Sequence, residues 1–143
     1  MTHETSAEQK DDAIWSRVVE SLEAAVDKKA SDPVVLDLRE ASQIGDYFVL
    51  LSARSDTQVR AIANEIEQRC KLAGARVLSL EGSQNGQWAL LDFGDFVVHV
   101  FYEPVRKFYD LERLWARAPR CEIPTALLHP PTSGDAPALP PTR

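Results

Sequence analysis

This sequence contains little cysteine, and its two cysteines, Cys70 and Cys121, are not spaced as a Cys-x-x-Cys motif. A disulfide framework needs several cysteines in an oxidising compartment, and a zinc site needs clustered ligands. We therefore interpret both cysteines as plain thiols of a protein in a reducing compartment. We expect neither a metal ion nor another cofactor.

Basic residues are fewer than acidic ones, with 16 Lys and Arg against 22 Asp and Glu, and the formal net charge is −6. Nucleic-acid binding depends on neutralising phosphates with Lys and Arg, so this balance disfavours it and favours a basic protein partner. No apolar run approaches membrane-spanning length. The acidic N-terminus resembles neither a secretory signal nor a transit peptide, so we expect a cytoplasmic protein that does not bind membranes.

The 143 residues suffice for one domain with a hydrophobic core. Residues 1–11 are polar, and prolines accumulate from Pro119 onward, where they prevent a helix or strand from continuing for long. We therefore predict a flexible N-terminus over residues 1–11, a single domain over residues 12–118, and a proline-rich disordered tail over residues 119–143.

Hydrophobic periodicity predicts that the domain begins with one helix and two strands. Asp12 can cap a helix with a continuous apolar stripe. Apolar runs over residues 34–38 and 47–51 predict two strands, joined by a turn or short helical link over residues 41–46.

A second helix and three further strands follow. Ser55-Asp-Thr-Gln58 has the spacing of a capping box and starts a helix that ends at Gly74. Residues 76–80 predict a third strand, and residues 88–101 predict a hairpin whose tight turn uses the conformational freedom of Gly94.

The last predicted element is a helix that begins near Pro104. Its apolar residues recur at three- and four-residue steps and are expected to face the core; they are Val105, Phe108, Leu111, Leu114 and Trp115. Strands one and two are joined too tightly for a helical crossover, whereas strands two and three flank a helix. The sequence therefore predicts an α/β (α+β-like) fold with a mixed five-stranded sheet and flanking helices.

The hairpin carries candidate binding residues. Strand alternation places Trp88, Leu90 and Asp92 on one face. A tryptophan at this position is either a packing residue or an interface anchor. Asp92 and Asp95 flank the turn, where they either shape the backbone or contact a partner. His99 lies in an apolar strand without other ligands at metal-binding spacing, which favours a core histidine.

Two further candidates lie on the last helix. Arg106 and Tyr109 stand beside its apolar stripe. An exposed aromatic ring and a guanidinium group can form part of an interaction surface, and a solvated helix face is the alternative.

The motifs of this chain occur in the order found in one known family, and together they are more specific than any one of them. They are Val-Leu-Asp37-Leu-Arg, Asp46-Tyr-Phe-Val, Ser55 with Gln58-Val-Arg-Ala-Ile-Ala63, Glu81-Gly82, Trp88-Ala-Leu-Leu-Asp92-Phe-Gly94-Asp95, and Arg106-Lys-Phe-Tyr109-Asp-Leu-Glu112-Arg-Leu-Trp115. With them, the chain resembles the Iojap-like ribosomal silencing factor family.

The resemblance implies a fold with nucleotidyltransferase-like topology but without catalytic residues. It also implies a translation repressor that binds the large ribosomal subunit at ribosomal protein number fourteen and blocks association with the small subunit. Such a protein acts under nutrient limitation or in stationary phase. Related organellar proteins assist large-subunit assembly, which is the alternative role. From the hairpin and the last helix we predict that the partner-binding residues are Trp88, Leu90, Asp92, Asp95, Arg106 and Tyr109, and a homodimer of the free protein is compatible with ribosome binding.

A nucleotidyltransferase-type enzyme is the rival hypothesis from a different class. Its chemistry requires clustered carboxylates that hold a metal ion, together with a phosphate cradle. The segment Ser52–Ser55 precedes a capped helix, as such a cradle would, but no Asp-x-Asp pair follows it. The close pair Asp92 and Asp95 flanks a hairpin turn, where aspartates commonly bond to the local backbone. We therefore expect no catalytic residues.

Overall fold

The computed structural model describes the backbone of residues 2–41 and 45–128, and the side chains of residues 12–41 and 45–127. Its elements are α1 (Thr2–Asp27), β1 (Ser31–Asp37), β2 (Tyr47–Ala53), α2 (Asp56–Leu72), β3 (Ser79–Glu81), β4 (Trp88–Asp92), β5 (Phe96–Tyr102), α3 (Glu103–Tyr109), α4 (Leu111–Leu114) and α5 (Thr125–Leu128). No helix in this part of the chain has both the length and the apolar character needed to cross a membrane.

The five strands form one mixed sheet in the order β1-β2-β5-β4-β3. The pair β2 and β5 is parallel, and the other neighbouring pairs are antiparallel. β2 is buried along its whole length and β5 along nearly all of it. Strands buried on both faces read as continuous apolar runs, which is the pattern that these two central strands show. The predicted mixed five-stranded sheet is confirmed.

Helices cover both faces of the sheet, but not equally. α1 and α2 pack on what we call the first face, where the core includes Val18, Leu22, Val49, Ile62, Ile66, Leu91, Val98 and Val100. The shorter α3 and α4 lie on the second face, over Leu36, Leu38, Phe48, Leu50, Val97 and Phe101. Complete burial of one large aliphatic side chain stabilises a fold by about 1.5–3 kcal/mol. Burial under the long helices α1 and α2 therefore stabilises the first face. The short helices α3 and α4 cover only part of the second face.

The predicted capping box of α2 is present. The hydroxyl of Ser55 accepts a hydrogen bond from the backbone N–H of Gln58 at 3.1 Å. The Gln58 side-chain oxygen accepts from the backbone N–H of Arg54 at 2.7 Å, one residue before the cap. At the other end, Gly74 has φ +92, as expected for a glycine that ends a helix.

The predicted starts of α1, β1 and β3 are wrong, and β1 begins at Ser31 and not at residue 34. α1 begins at Thr2 and not at Asp12, since the preceding residues include good helix formers such as Ala, Glu, Gln and Lys. The third strand begins at Ser79 and not at residue 76. β3 pairs only with β4, which ends at Asp92, and the carbonyl of Asp92 already accepts from the N–H of Leu78. Residues before Leu78 therefore have no strand to pair with.

The predicted last helix is broken into two. Asp110 adopts a left-handed conformation, with φ 51 and ψ 55, between α3 and α4. This break changes the phase of the apolar stripe. Phe108 is 81% exposed and Leu114 is 71% exposed, so their predicted burial is wrong. The other residues of the stripe, Val105, Leu111 and Trp115, pack on the second face as predicted.

Part of the predicted tail is ordered. The carbonyl of Pro119 accepts from the N–H of Asp37, and the N–H of Cys121 donates to the carbonyl of Val35, so this segment lies along the free edge of β1. Ile123 and Leu127 pack against the core of the first face. Disorder is therefore wrong for residues 119–128. The rest of the predicted tail, residues 129–143, and residues 42–44 of the predicted link lie outside the described residues.

Candidate protein-binding surface

The second face of β4 is only partly covered by the helices. Trp88, Leu90 and Asp92 are half-buried on this face, whereas Ala89 and Leu91 between them are buried on the first face. The predicted alternation of β4 is thus confirmed. The partly open face places an apolar surface next to solvent.

Trp88 lies at the centre of an aromatic cluster, which we define as Trp88, His99, Phe101 and Tyr109. The centroid of its ring lies 4.9 Å from that of Phe101, 4.8 Å from that of Tyr109 and 5.9 Å from that of His99. Aromatic pairs at such separations contribute about 0.5–1.5 kcal/mol beyond the burial of their area. The rings of His99 and Phe101 come from β5 and that of Tyr109 from the end of α3, so two neighbouring elements fix Trp88.

A hydrogen bond also orients Trp88. Its indole N–H donates to Nδ1 of His99 at 3.1 Å, which places the proton of the neutral imidazole on Nε2. His99 is only 3% exposed, and burial lowers its pKa to about 4. The imidazole is therefore neutral near pH 7 and remains able to accept from Trp88. The prediction of a core histidine is confirmed.

Tyr109 and Phe108 extend the aromatic cluster to the protein surface. Tyr109 is 53% exposed, and its ring meets that of Phe108 edge to face at a centroid separation of 5.1 Å. Together with Trp88 they border a groove of about 540 Å³. Exposed apolar groups that adjoin one another in this way are typical of interaction sites. Phe108 was not a candidate from the sequence, because its helical spacing from Val105 and Leu111 predicted that it faces the core.

The glycine of the Glu81-Gly82 motif is required by the position of Trp88. Gly82 has φ +78, and a Cβ at this residue would clash with the carbonyl oxygen of Trp88. The loop before β4 therefore closes directly against the first residue of the strand. A side chain at Gly82 would displace the backbone that carries Trp88.

The two aspartates of the hairpin have different surroundings. Asp92 accepts a hydrogen bond from the N–H of Gly94 at 2.8 Å through its side chain, and Gly94 has φ +91. Asp92 thus shapes the turn, which is one of the two roles considered for it. Asp95 is half-buried, and its carbonyl accepts from the N–H of Asp46. Both lie at the hairpin end of the second face.

Arg106 is not exposed, contrary to expectation. It is 8% exposed, and its guanidinium donates to both carboxylate oxygens of Glu112 at 3.1 and 3.0 Å. It also donates to the backbone carbonyl of Asp32 at 2.7 Å and to the hydroxyl of Ser52 at 2.8 Å. The hydrogen bonds from Arg106 to Glu112 lower the pKa of that carboxyl group, and burial opposes the shift. The guanidinium is therefore fully engaged inside the protein.

The segment that resembled a phosphate cradle also has internal roles. Ser52 is buried and accepts from Arg106, while the hydroxyl of Ser55 caps α2. Among the side chains of residues 12–41 and 45–127, no three of His, Cys, Asp or Glu are grouped so that they could hold a metal ion. The structure thus gives the enzyme hypothesis no assembled site in the described part of the chain.

The fold and this surface define a small α+β domain that presents an aromatic cluster at one end of a mixed sheet. The family model described as "Ribosomal silencing factor during starvation" matches residues 11–139. The chain therefore belongs to the ribosomal silencing factor family.

Curated relatives and solved structures agree with this assignment. A ribosomal silencing factor of Bacillus subtilis is 42% identical over 100 residues, which are 70% of this chain and 85% of the relative. The chloroplast protein Iojap of Zea mays is 36% identical over 120 residues, which are 83% of this chain and 52% of that protein. A crystal structure of a Chromobacterium violaceum protein matches with a TM-score of 0.71 and 35% identity, covering 72% of this chain and 86% of that one.

Proposed function

We propose that this protein binds the large ribosomal subunit, at ribosomal protein number fourteen, through the second face of β4 and the end of α3. The observation that carries the proposal is the partly exposed aromatic cluster around Trp88, in a chain whose relatives are named ribosomal silencing factors. The docking surface comprises Trp88, Leu90, Asp92, Asp95, Phe108 and Tyr109. Phe108 replaces Arg106 among the residues considered from the sequence, because Arg106 is buried.

The chemistry of this surface suits a protein partner. Protein interfaces place a few large aromatic residues at the centre, surrounded by a polar rim. Here Trp88 is central and half-buried, Phe108 and Tyr109 are exposed beside it, and Asp92 and Asp95 form an acidic edge. An acidic edge on a chain of net charge −6 complements a basic ribosomal protein and accelerates its association.

Silencing requires no chemical step. A protein that occupies the face of the large subunit on which the small subunit docks prevents joining by steric exclusion alone. We propose that the protein acts in this way in the cytoplasm and lowers translation when nutrients are scarce, without enzymatic activity. A homodimer of the free protein is compatible with this function if the docking surface remains accessible.

The test is a sucrose-gradient profile of separated ribosomal subunits, mixed with and without excess protein. We expect the protein to co-sediment with the large subunit and the joined peak to decrease. A protein that remains at the top of the gradient, with an unchanged joined peak, would contradict the proposal. Binding to the large subunit without a smaller joined peak would favour the alternative role in subunit assembly. The sedimentation of the free protein reports whether it is a dimer.

A further inference from the structure

Arg106 ties together parts of the fold that are distant in sequence. Its guanidinium bonds to Asp32 in β1, to Ser52 in β2 and to Glu112 in α4. A charged side chain that makes a bidentate pair and two further hydrogen bonds has one well-defined orientation. Arg106 therefore joins the last two helices to one end of the sheet.

This junction lies at the carboxyl ends of the parallel strands β2 and β5. The helix after β2, α2, packs on the first face, whereas the helix after β5, α3, lies on the second. In open α/β sheets such a crevice, from which the chain leaves toward opposite faces, is a common place for ligands. Here the Arg106 and Glu112 side chains line the crevice and bond to each other, so this pair anchors α3 and α4 at the end of the sheet.

Arg106 forms hydrogen bonds with two residues that follow Tyr109 in the chain, Asp110 and Glu112. The backbone carbonyl of Arg106 accepts from the N–H of Asp110 at 2.8 Å, which holds the left-handed residue where α3 ends. The side chain of Arg106 holds Glu112 at the start of α4. Tyr109 directly precedes the break, with its ring against Trp88. The position of its ring thus depends on the geometry of the break.

We infer that Arg106 is a positioning residue, which fixes the α3–α4 break through Glu112 and thereby holds Tyr109 against Trp88 at the docking surface. The inference rests on the proposed function for its consequence in binding, but its effect on the aromatic cluster can be measured separately. Arg106 makes no contact with the partner and acts through Tyr109.

The test compares Arg106→Lys, Tyr109→Ala and the double variant. Lysine keeps the charge but cannot reproduce the forked pair with Glu112. Large-subunit affinity is measured for each, and the indole N–H resonance of Trp88 is recorded by NMR in protein labelled at tryptophan. Arg113→Lys is the matched control, because it makes the same chemical change at an exposed residue of α4.

We expect Arg106→Lys to shift the Trp88 resonance and to weaken large-subunit binding about tenfold, which corresponds to about 1.4 kcal/mol. In the Tyr109→Ala background it should cause almost no further loss of affinity, because both changes act on the same contact. Arg113→Lys should change neither measurement. If Arg106→Lys does not fold, Glu112→Gln, which removes one acceptor of the fork, is expected to give the same pattern.

Three results have distinct meanings. Losses of affinity that multiply in the double variant would show that Arg106 contacts the partner itself and would overturn the inference. A lower melting temperature with an unchanged Trp88 resonance and unchanged affinity would also overturn it. A shifted Trp88 resonance in a protein whose wild type does not bind the large subunit would support the positioning role and contradict the proposed function.

Discussion

Trp88 is ordered before any partner arrives. It contacts the rings of Phe101 and Tyr109, and its indole N–H is bonded to His99. Ordering a side chain upon binding costs about 0.5–1.5 kcal/mol. A tryptophan that is already oriented avoids much of this cost, and this is why we assign the binding energy first to Trp88.

Replacing Trp88 tests this assignment at the scale of one residue. We expect Trp88→Ala to weaken large-subunit binding by about 2 kcal/mol or more, as for other central aromatic residues of interfaces. Trp15→Ala is the control, because it removes the same kind of side chain at a different place. Trp15 belongs to α1 and packs against the core of the first face. Affinity is measured by co-sedimentation, and melting curves verify that both variants fold. Equal affinity of Trp88→Ala and wild type would show that the ribosome contacts another surface.

The buried imidazole of His99 makes stability depend on pH. Its pKa is lowered from 6.5 to about 4 in the folded protein, so the unfolded chain binds more protons between these values. The contribution of neutral, buried His99 to the free energy of unfolding is therefore complete above about pH 6.5, and it is lost as the pH falls toward 4. The loss amounts to roughly 3 kcal/mol at most. Urea unfolding at a series of pH values measures it.

The matched variant for this prediction is His99→Phe, which keeps an aromatic ring but does not titrate. Carboxylates whose pKa is lowered, such as Asp37 and Glu112, contribute acid sensitivity in both proteins. The difference between the two pH profiles therefore isolates the histidine. Parallel profiles from pH 7 to pH 4 would contradict the assigned burial of His99.

At the scale of elements, two segments show how local signals and packing differ. The apolar residues after Pro104 follow helical spacing, so the sequence predicts one continuous helix. Asp110 interrupts this helix with its left-handed conformation. Across the break, the Arg106 side chain bonds to Glu112. Asp is among the few residues besides Gly that adopt this conformation readily. Phe108 lies in the last turn of α3, before the break, and faces solvent, where we include it in the docking surface.

The C-terminal segment provides a second prediction at this scale. Removing residues 121–143 should lower the free energy of unfolding by roughly 2 kcal/mol, because Ile123 and Leu127 then leave the core and Val35 loses a hydrogen bond. Removing only residues 129–143 is the control, and we expect it to have almost no effect, since this proline-rich stretch has few large apolar groups. Thermal melts of both truncated proteins measure the difference. Equal melting temperatures would show that residues 121–128 contribute nothing.

At the scale of the whole molecule, the proposal depends on binding without catalysis. Incubated with each ribonucleoside triphosphate and magnesium or manganese, the protein should release no pyrophosphate. The physical reason is that Ser52 and Ser55 already bond to other groups of the protein, while Asp92 shapes a turn. A coupled pyrophosphate assay measures this. Turnover that disappears in Asp92→Asn or Asp95→Asn would instead establish the enzyme hypothesis.

The sequence by itself determined the number of strands, their order along the chain and the start of α2. Buried strands require apolar runs, and a helix start requires a cap, so both leave a local pattern, as in β2, β5 and the Ser55 box. Alternation along β4 likewise placed Trp88, Leu90 and Asp92 on one face. The ordered motifs were sufficient for the family, which the comparisons then confirmed.

Only the tertiary structure decided what Arg106, Phe108 and the segment after Pro119 do. Arg106 is buried because Ser52, Asp32 and Glu112, which are far from one another in sequence, converge on its guanidinium. Residues 119–121 are ordered because the edge of β1 offers backbone groups that bond to them. A local sequence pattern carries no information about partners brought together from distant positions, and these partners set the burial and order of a side chain.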